Sequence, residues 1–345
     1  MPRIINSPEE FTIIGENIHA TRVVLRNGRR AITLDSGIEA IPFEDEQGKQ
    51  QYLTVPDSYK ETQPYKQGQI KHCMVAMTKG IGDNEAEREE GAAYIHHEAR
   101  RQATAGSHFL DLNVDELSYN IEIQKRAMGW LVKTVQEVSS LPLSIDSSSP
   151  DIIASGLSAY DARSGRPMIN SVALERLETL DLVKQYNAKV VVTAAGVDSM
   201  PQNDKERIAN VTAIMDAVHA AKISMSDVYI DCIVFPISVS GDYGPHYLTA
   251  VAAIRETYGP DVHITGGLSN VSFGLPKRKL INDTFIHLAI EAGIDAGIID
   301  PIQSNLGQVL NLDLESESVS LAHNMLMGGD EFCAIYIKAF RDGRL

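Results

Sequence analysis

The feature that most constrains this chain is an alternation. From residue 84 onward, short β-rich runs are each followed by a longer stretch with helical spacing. With one earlier run, residues 11–14 (FTII), the strand candidates are 108–112 (HFLDL), 141–146 (LPLSID), 167–170 (PMIN), 188–193 (AKVVVT), 228–231 (VYID), 262–265 (VHIT) and 296–300 (AGIID). They are apolar without clean alternation, as in parallel strands buried on both faces. Between them, Met128, Leu131, Val132, Val135 and Val138 recur at helical spacing, as do Ile208, Val211, Ile214, Val218 and Ala221. Gly106 and Gly293 fall where helix C-caps precede strands. Eight β-then-α units in 345 residues predict a single-domain (β/α)8 TIM barrel spanning residues 1–345. The alternative is an open doubly wound sheet, whose usual GxGxxG after the first strand is missing.

Residues 20–83 break this rhythm. They carry no helix-period stripe and are rich in Gly, Gln, Tyr and Pro, and residues 45–50 (DEQGKQ) read as a hairpin turn. An excursion after the first strand leaves from its C-terminal end, so an insertion at the catalytic face is expected. An oligomer contact or surface elaboration is the other reading.

Composition narrows the function. No apolar run reaches the roughly 18 residues of a membrane-spanning helix, and the N-terminus lacks a signal-peptide layout. Cys73, Cys232 and Cys333 are widely spaced and form no CxxC. They read as reduced thiols of a cytoplasmic protein. No metal site is expected. The pair His96-His97 lies in a helical pattern, where neighbours point to different faces. A formal net charge of −15 disfavours nucleic acid and leaves small molecules or proteins with a complementary patch as partners.

In a barrel, polar side chains at the C-terminal strand ends are the functional candidates. Here these are Glu16, Asp111 with Asn113, Asp146, Asn170, Thr193, Asp231, the Gly266-Gly267 loop with Asn270, and Asp300. Taken singly, Asp146 and Asn170 also read as helix N-caps. Asp231, followed by Cys-Ile-Val-Phe-Pro rather than a helix, is less well explained that way. As a ring of carboxylates and amides, the set suits a flat heterocycle rich in N–H donors. A pterin fits, and so would a guanine-like base or an amino sugar.

Five motifs then occur in one order: DLNV at Asp111 to Val114, SIDSSSP at Ser144 to Pro150, PMINS at Pro167 to Ser171, YID at Tyr229 to Asp231 and GGLSNVS at Gly266 to Ser272. With them the chain resembles the pterin-binding methyltransferases. These are the methyltetrahydrofolate:corrinoid protein methyltransferases and the folate domain of cobalamin-dependent methionine synthase, relatives of dihydropteroate synthase. The resemblance covers residues 84 to 300 and the first strand, and GGLSNVS favours the methyltransferase branch.

The resemblance implies a barrel that dimerises and binds tetrahydrofolate or 5-methyltetrahydrofolate. Asp146, Asn170 and Asp231 would hold the pterin edge, with Asp111 and Asn113 in the same motif set. Gly266 would let the backbone approach the ring, Arg278 would lie near the folate loop, and Asn270 would sit near N5. Asn270 and Asp231 are the catalytic candidates. An amide suffices there because N5 leaves more readily once hydrogen-bonded or protonated. The nucleophile, cob(I)alamin, would come on a separate corrinoid protein, so no protein Cys or Ser is needed.

Four departures leave the methyl partner open, one of them the segment 20–83, which has no counterpart in the family pattern. Relatives begin GERIN where this chain has Gly15-Glu16-Asn17-Ile18-His19. DLNVG ends here in Asp115, and Thr193-Ala194-Ala195-Gly196 stands where relatives often have an Asn. The other readings are a dihydropteroate-synthase-like pterin transferase, for which no lysine and phosphate site is seen, and a non-catalytic folate-binding module.

Overall fold

The computed structural model describes residues 4–345. In chain order the strands are β1 (Thr12–His19), β2 (Val23–Leu25), β3 (Ile32–Thr33), β4 (Glu39–Glu44), β5 (Gln50–Thr54), β6 (Gln69–Lys71), β7 (Phe109–Asn113), β8 (Leu143–Asp146), β9 (Met168–Val172), β10 (Lys189–Thr193), β11 (Val228–Asp231), β12 (His263–Thr265) and β13 (Ala296–Ile299). Eight of them form one sheet in the order β12-β11-β10-β9-β8-β7-β1-β13. The two ends of that order meet through a parallel bridge between Gly267 and Ile298 and the bond from Ile298 N–H to Gly266 O, 3.0 Å. The chain is therefore a (β/α)8 TIM barrel, and the open-sheet alternative is excluded. Every residue of β7, β9 and β13 is buried, which is why their sequences show no alternation.

The chain divides into two compact units, residues 15–168 and residues 1–14 with 169–345. In the first, β7 and β8 run parallel with Leu110 opposite Leu143 and Asn113 opposite Asp146. The helices Glu85–Thr104 and Ile121–Gln136 are capped by Asn84 and Asn120, whose side chains accept from Glu87 N–H and Glu122 N–H. The stripe Met128, Leu131, Val132 and Val135 is fully buried.

Within residues 20–83, β4 and β5 form an antiparallel hairpin about a turn at the expected place. Asp45 Oδ1 accepts from Gln47 and Lys49 N–H, and Gly48 has φ 75°. The same segment also holds a helix, His72–Gly80, which the sequence pattern hides. Its Cys73, Val75, Ala76 and Met77 are all buried. A helix covered on most sides has no polar face to mark its period.

This helix packs tightly on Glu85–Thr104. A Cβ added at Gly91 would lie 2.4 Å from the backbone oxygen of Ala76. Gly→Ala inside a helix normally gains about 1 kcal/mol. Here backbone must move, so the sign reverses. Gly91→Ala is expected to cost about 2 kcal/mol or more, read from urea unfolding midpoints. A loss under about 0.5 kcal/mol would contradict the close approach.

In the second unit, β10, β11 and β12 pair so that Thr193, Asp231 and Thr265 lie in one row. The N-terminal strand ends carry a structural network: Asp295 binds Arg255 Nη2 at 2.9 Å, His263 Nδ1 at 2.7 Å and Ile264 N–H at 2.8 Å. Gly293 ends the helix Arg278–Ala292 with φ 119°, as its sequence position suggested. Among the described residues, no helix is long and apolar enough to cross a membrane.

Candidate active site

Within residues 15–168, the register of β7 on β8 brings Asn113 beside Asp146. Asn113 Nδ2 donates to Asp146 Oδ2 at 2.9 Å. Asp111, on the same strand and 2 % exposed, is also hydrogen-bonded to Asp146. Burial, then the Asp111 charge, push the Asp146 carboxyl well above the ordinary carboxylate range, against the opposing Asn113 bond.

Three neighbours were not singled out as site residues from the sequence. Asp115 ties down the turn after β8: its Oδ1 accepts from Ser147 Oγ at 2.6 Å, and its Oδ2 from Ser148 N–H and Oγ, both at 2.9 Å. A glycine there could make none of these bonds. His19, at the end of β1, lies with Nε2 3.8 Å from Asp146 Oδ2. Burial and the nearby Arg22 charge push its imidazole down to about 4, so it is neutral at pH 7. Arg22, from the insertion, binds the Glu16 carboxylate and donates to Asn17 Oδ1 at 2.9 Å. The GENIH strand thus lacks the arginine of GERIN but borrows one from the segment that follows. The signal for Asp115 and His19 was the departure from the motif at those positions; Arg22 carried no such mark, and the partners of Asp115 came from the turn after β8.

Within the second unit, Asp231 ends β11. Its Oδ1 accepts from Ile233 N–H at 2.7 Å. Burial raises this carboxyl to about 6, against the lowering effects of the Ile233 N–H and the Arg207 charge. The turn that follows is strained: Ile233, a β-branched residue, has φ 60°. Such a conformation costs on the order of 1–3 kcal/mol and needs outside support. The fully buried Arg207 supplies it, with Nε donating to Cys232 O at 2.9 Å and Nη2 to Ile233 O at 3.3 Å.

The loop after β12 explains both of its glycines. Neither Gly266 nor Gly267 has a positive φ. What they supply is space. A Cβ at Gly266 would meet Tyr247 Oη at 3.0 Å and Asp231 Oδ1 at 3.3 Å, and one at Gly267 would meet Asn270 Nδ2 at 3.0 Å. Asn270 sits in the 3-10 turn Leu268–Ser272, its N–H donating to Gly267 O at 3.1 Å. Arg278 pins this turn, with Nη2 on Ser269 O and Nε on Ser272 Oγ, both 2.9 Å, and its guanidinium over the Phe273 ring. Asn170, at 8 % exposure, lies in β9 just before Ser171, whose Oγ accepts from Arg176 Nη2 at 3.2 Å.

Two further members of the anticipated ring also hold turns. Asp300 Oδ1 accepts from Ile302 N–H at 3.0 Å, and Thr193 Oγ1 from Ala195 N–H at 3.2 Å, as turn caps do. In the first unit the buried Asp111 and Asn113 stand beside the partly exposed Asp146, and in the second Asp231 and Asn270 are partly exposed; each group by itself offers carboxylate and amide partners for ligand N–H groups.

Comparison with known proteins agrees. The family model described as pterin binding enzyme matches residues 84–300. The methylcorrinoid:tetrahydrofolate methyltransferase of Eubacterium limosum is 28% identical over 263 residues, 74% of this chain and 90% of that protein. The methionine synthase of Mycobacterium leprae (strain TN) is 28% identical over 216 residues, 58% of this chain and only 17% of that protein. Among solved structures, the Xanthomonas albilineans dihydropteroate synthase with 4-aminobenzoic acid superposes with a TM-score of 0.50 at 18% identity, covering 66% of this chain and 87% of that one. That likeness supports the barrel alone. With the family model matching well over half of its length, the chain belongs to the pterin-binding enzymes.

Proposed function

We propose that this enzyme moves a methyl group between N5 of tetrahydrofolate and a corrinoid carried by a partner protein. By analogy with the Eubacterium limosum relative, the methylcorrinoid is taken as donor and tetrahydrofolate as acceptor. The observation that carries the reading is Asn270: an amide in a turn that Arg278 pins through Ser269 O and Ser272 Oγ, given room by Gly267. On this reading, Asp146, Asn170 and Asp231 accept from the N–H-rich pterin edge. Asn270 holds N5 by a hydrogen bond while N5 changes between tertiary amine and secondary amine. In this direction the N5 lone pair forms the bond to the methyl as its bond to the corrinoid breaks, the bonding pair stays with the corrinoid, and N5 releases its proton to solvent. The chain needs only to orient the ring and steady that hydrogen bond. The cobalt chemistry belongs to the corrinoid on the partner.

Residues 20–83, which leave from the C-terminal end of β1, are then part of the catalytic rim that meets the corrinoid protein, and the working assembly is a homodimer. A dihydropteroate-synthase activity is disfavoured, because the motifs carry no matched lysine and phosphate site.

The test is an anaerobic absorbance assay. Purified protein is mixed with methylcobalamin and tetrahydrofolate, and separately with cob(I)alamin and 5-methyltetrahydrofolate. Methyl exchange, seen as the change in the cobalt spectrum, is the expected result. Failure to bind either folate in a separate titration would sink the proposal.

A further inference from the structure

We propose that His19 is a positioning residue for Asp146, supplying a further N–H hydrogen bond that orients this carboxylate when a ligand is bound. The inference rests on the reading of Asp146 as a pterin-binding group, and it concerns a position where the resembling motif has an Asn.

The tautomer is fixed by the chain itself. Thr21 N–H points at His19 Nδ1 at 3.2 Å, so Nδ1 accepts, and the Thr21 hydroxyl lies 2.8 Å from the same atom. A neutral imidazole then carries its proton on Nε2, the nitrogen facing Asp146. The gap of 3.8 Å is about 1 Å longer than a hydrogen bond. It would close with a small ring movement. The oxygen on the far side of that gap, Oδ2, already accepts from Asn113 Nδ2. A His19 bond there would place a second N–H donor beside the Asn113 amide on Oδ2.

This chain has a particular need for the extra donor. Asp146 must accept from a ligand N–H as a carboxylate, yet Asp111 and Asp115 both oppose its ionisation. Asp115 is the group that replaces the glycine of the common motif. The charged groups acting on His19 are Arg22 and Lys71 on one side and Asp115 and Glu116 on the other, and Lys71 pairs with Glu116. Neutral His19 donates without adding a charge to this balance. Two departures from the family pattern, glycine to Asp115 and asparagine to His19, thus fit together.

The experiment titrates 5-methyltetrahydrofolate calorimetrically into wild type, His19→Ala and His19→Gln, without any corrinoid, from about pH 5 to about pH 8. Expected is a weakening of about tenfold in His19→Ala at neutral pH, the scale of one hydrogen bond to a charged group. Removing a donor to the carboxylate also raises its pKa, so binding should be lost at a higher pH as the solution is acidified. Gln, which places an amide N–H at similar reach, should restore most of both. Equal affinity in wild type and His19→Ala would overturn the inference. So would equal losses in both variants with the acid limb unmoved, which would mark a space-filling role. No binding by wild type would instead remove the pterin reading, and this inference with it.

Discussion

Asp231→Asn is expected to make the ligand-free protein more stable at neutral pH while weakening folate binding by about 100-fold or more. The carboxyl is raised to about 6 in the folded protein, from an ordinary value of 3.8. A raised folded-state value means that the group contributes stability below the unfolded pKa and that this contribution is lost as pH rises through about 6. At pH 7 the ionised form is therefore a burden of up to about 3 kcal/mol, at 1.36 kcal/mol per pKa unit. Asn removes the charge, and its Oδ1 can still accept from Ile233 N–H. The same substitution puts an N–H where a ligand donor must land. Loss of a charge-assisted bond and a donor facing a donor together account for the affinity lost. Thermal melts at about pH 7 and about pH 4 read the first effect, which should vanish at the lower pH. Folate titration reads the second. An unchanged affinity would remove Asp231 from the site.

Asn270→Ala should separate binding from turnover. The amide is proposed to act at N5, where charge changes during transfer, and the rest of the pterin edge is held by other groups. Removing one such donor typically costs about 100-fold to 1,000-fold in rate. We expect kcat to fall by at least about 100-fold while folate affinity changes by less than about fivefold. The Arg278 bonds go to Ser269 O and Ser272 Oγ, so the turn should survive the substitution. Parallel losses in affinity and rate would instead make Asn270 an ordinary ligand contact.

Much of this was legible in the residues. The barrel strands were readable because runs such as AKVVVT are buried on both faces, and β10 begins within one residue of its sequence-based limit. Asp146 and Asp231 stand at the strand ends expected for them, because register is local and strand length is set by the apolar run, whereas β9 runs two residues past the expected end at Asn170, to Val172. The helix His72–Gly80 was not readable, since a nearly all-buried helix lacks a polar face. Nor were the links made over long sequence distances. Asp115 reaches Ser147 and Ser148 across a whole helix, and Arg207 supports carbonyls 25 and 26 residues away. Such pairings depend on strand order in space, which no local pattern encodes. The glycines of the GGLSNVS loop were visible, but their reason was not. They relieve crowding against Asp231 and Asn270, a property of the folded site rather than of backbone preference.

The three bonds from Asp115 to Ser147 and Ser148 have a thermodynamic consequence. They join the turn after β8 to the chain leaving β7, so two segments that a glycine would leave to fluctuate separately behave as one. Their disorder is surrendered when the polypeptide folds rather than when a substrate arrives. A ligand meeting this rim finds the ordering already done, and more of its contact energy is left to appear as affinity.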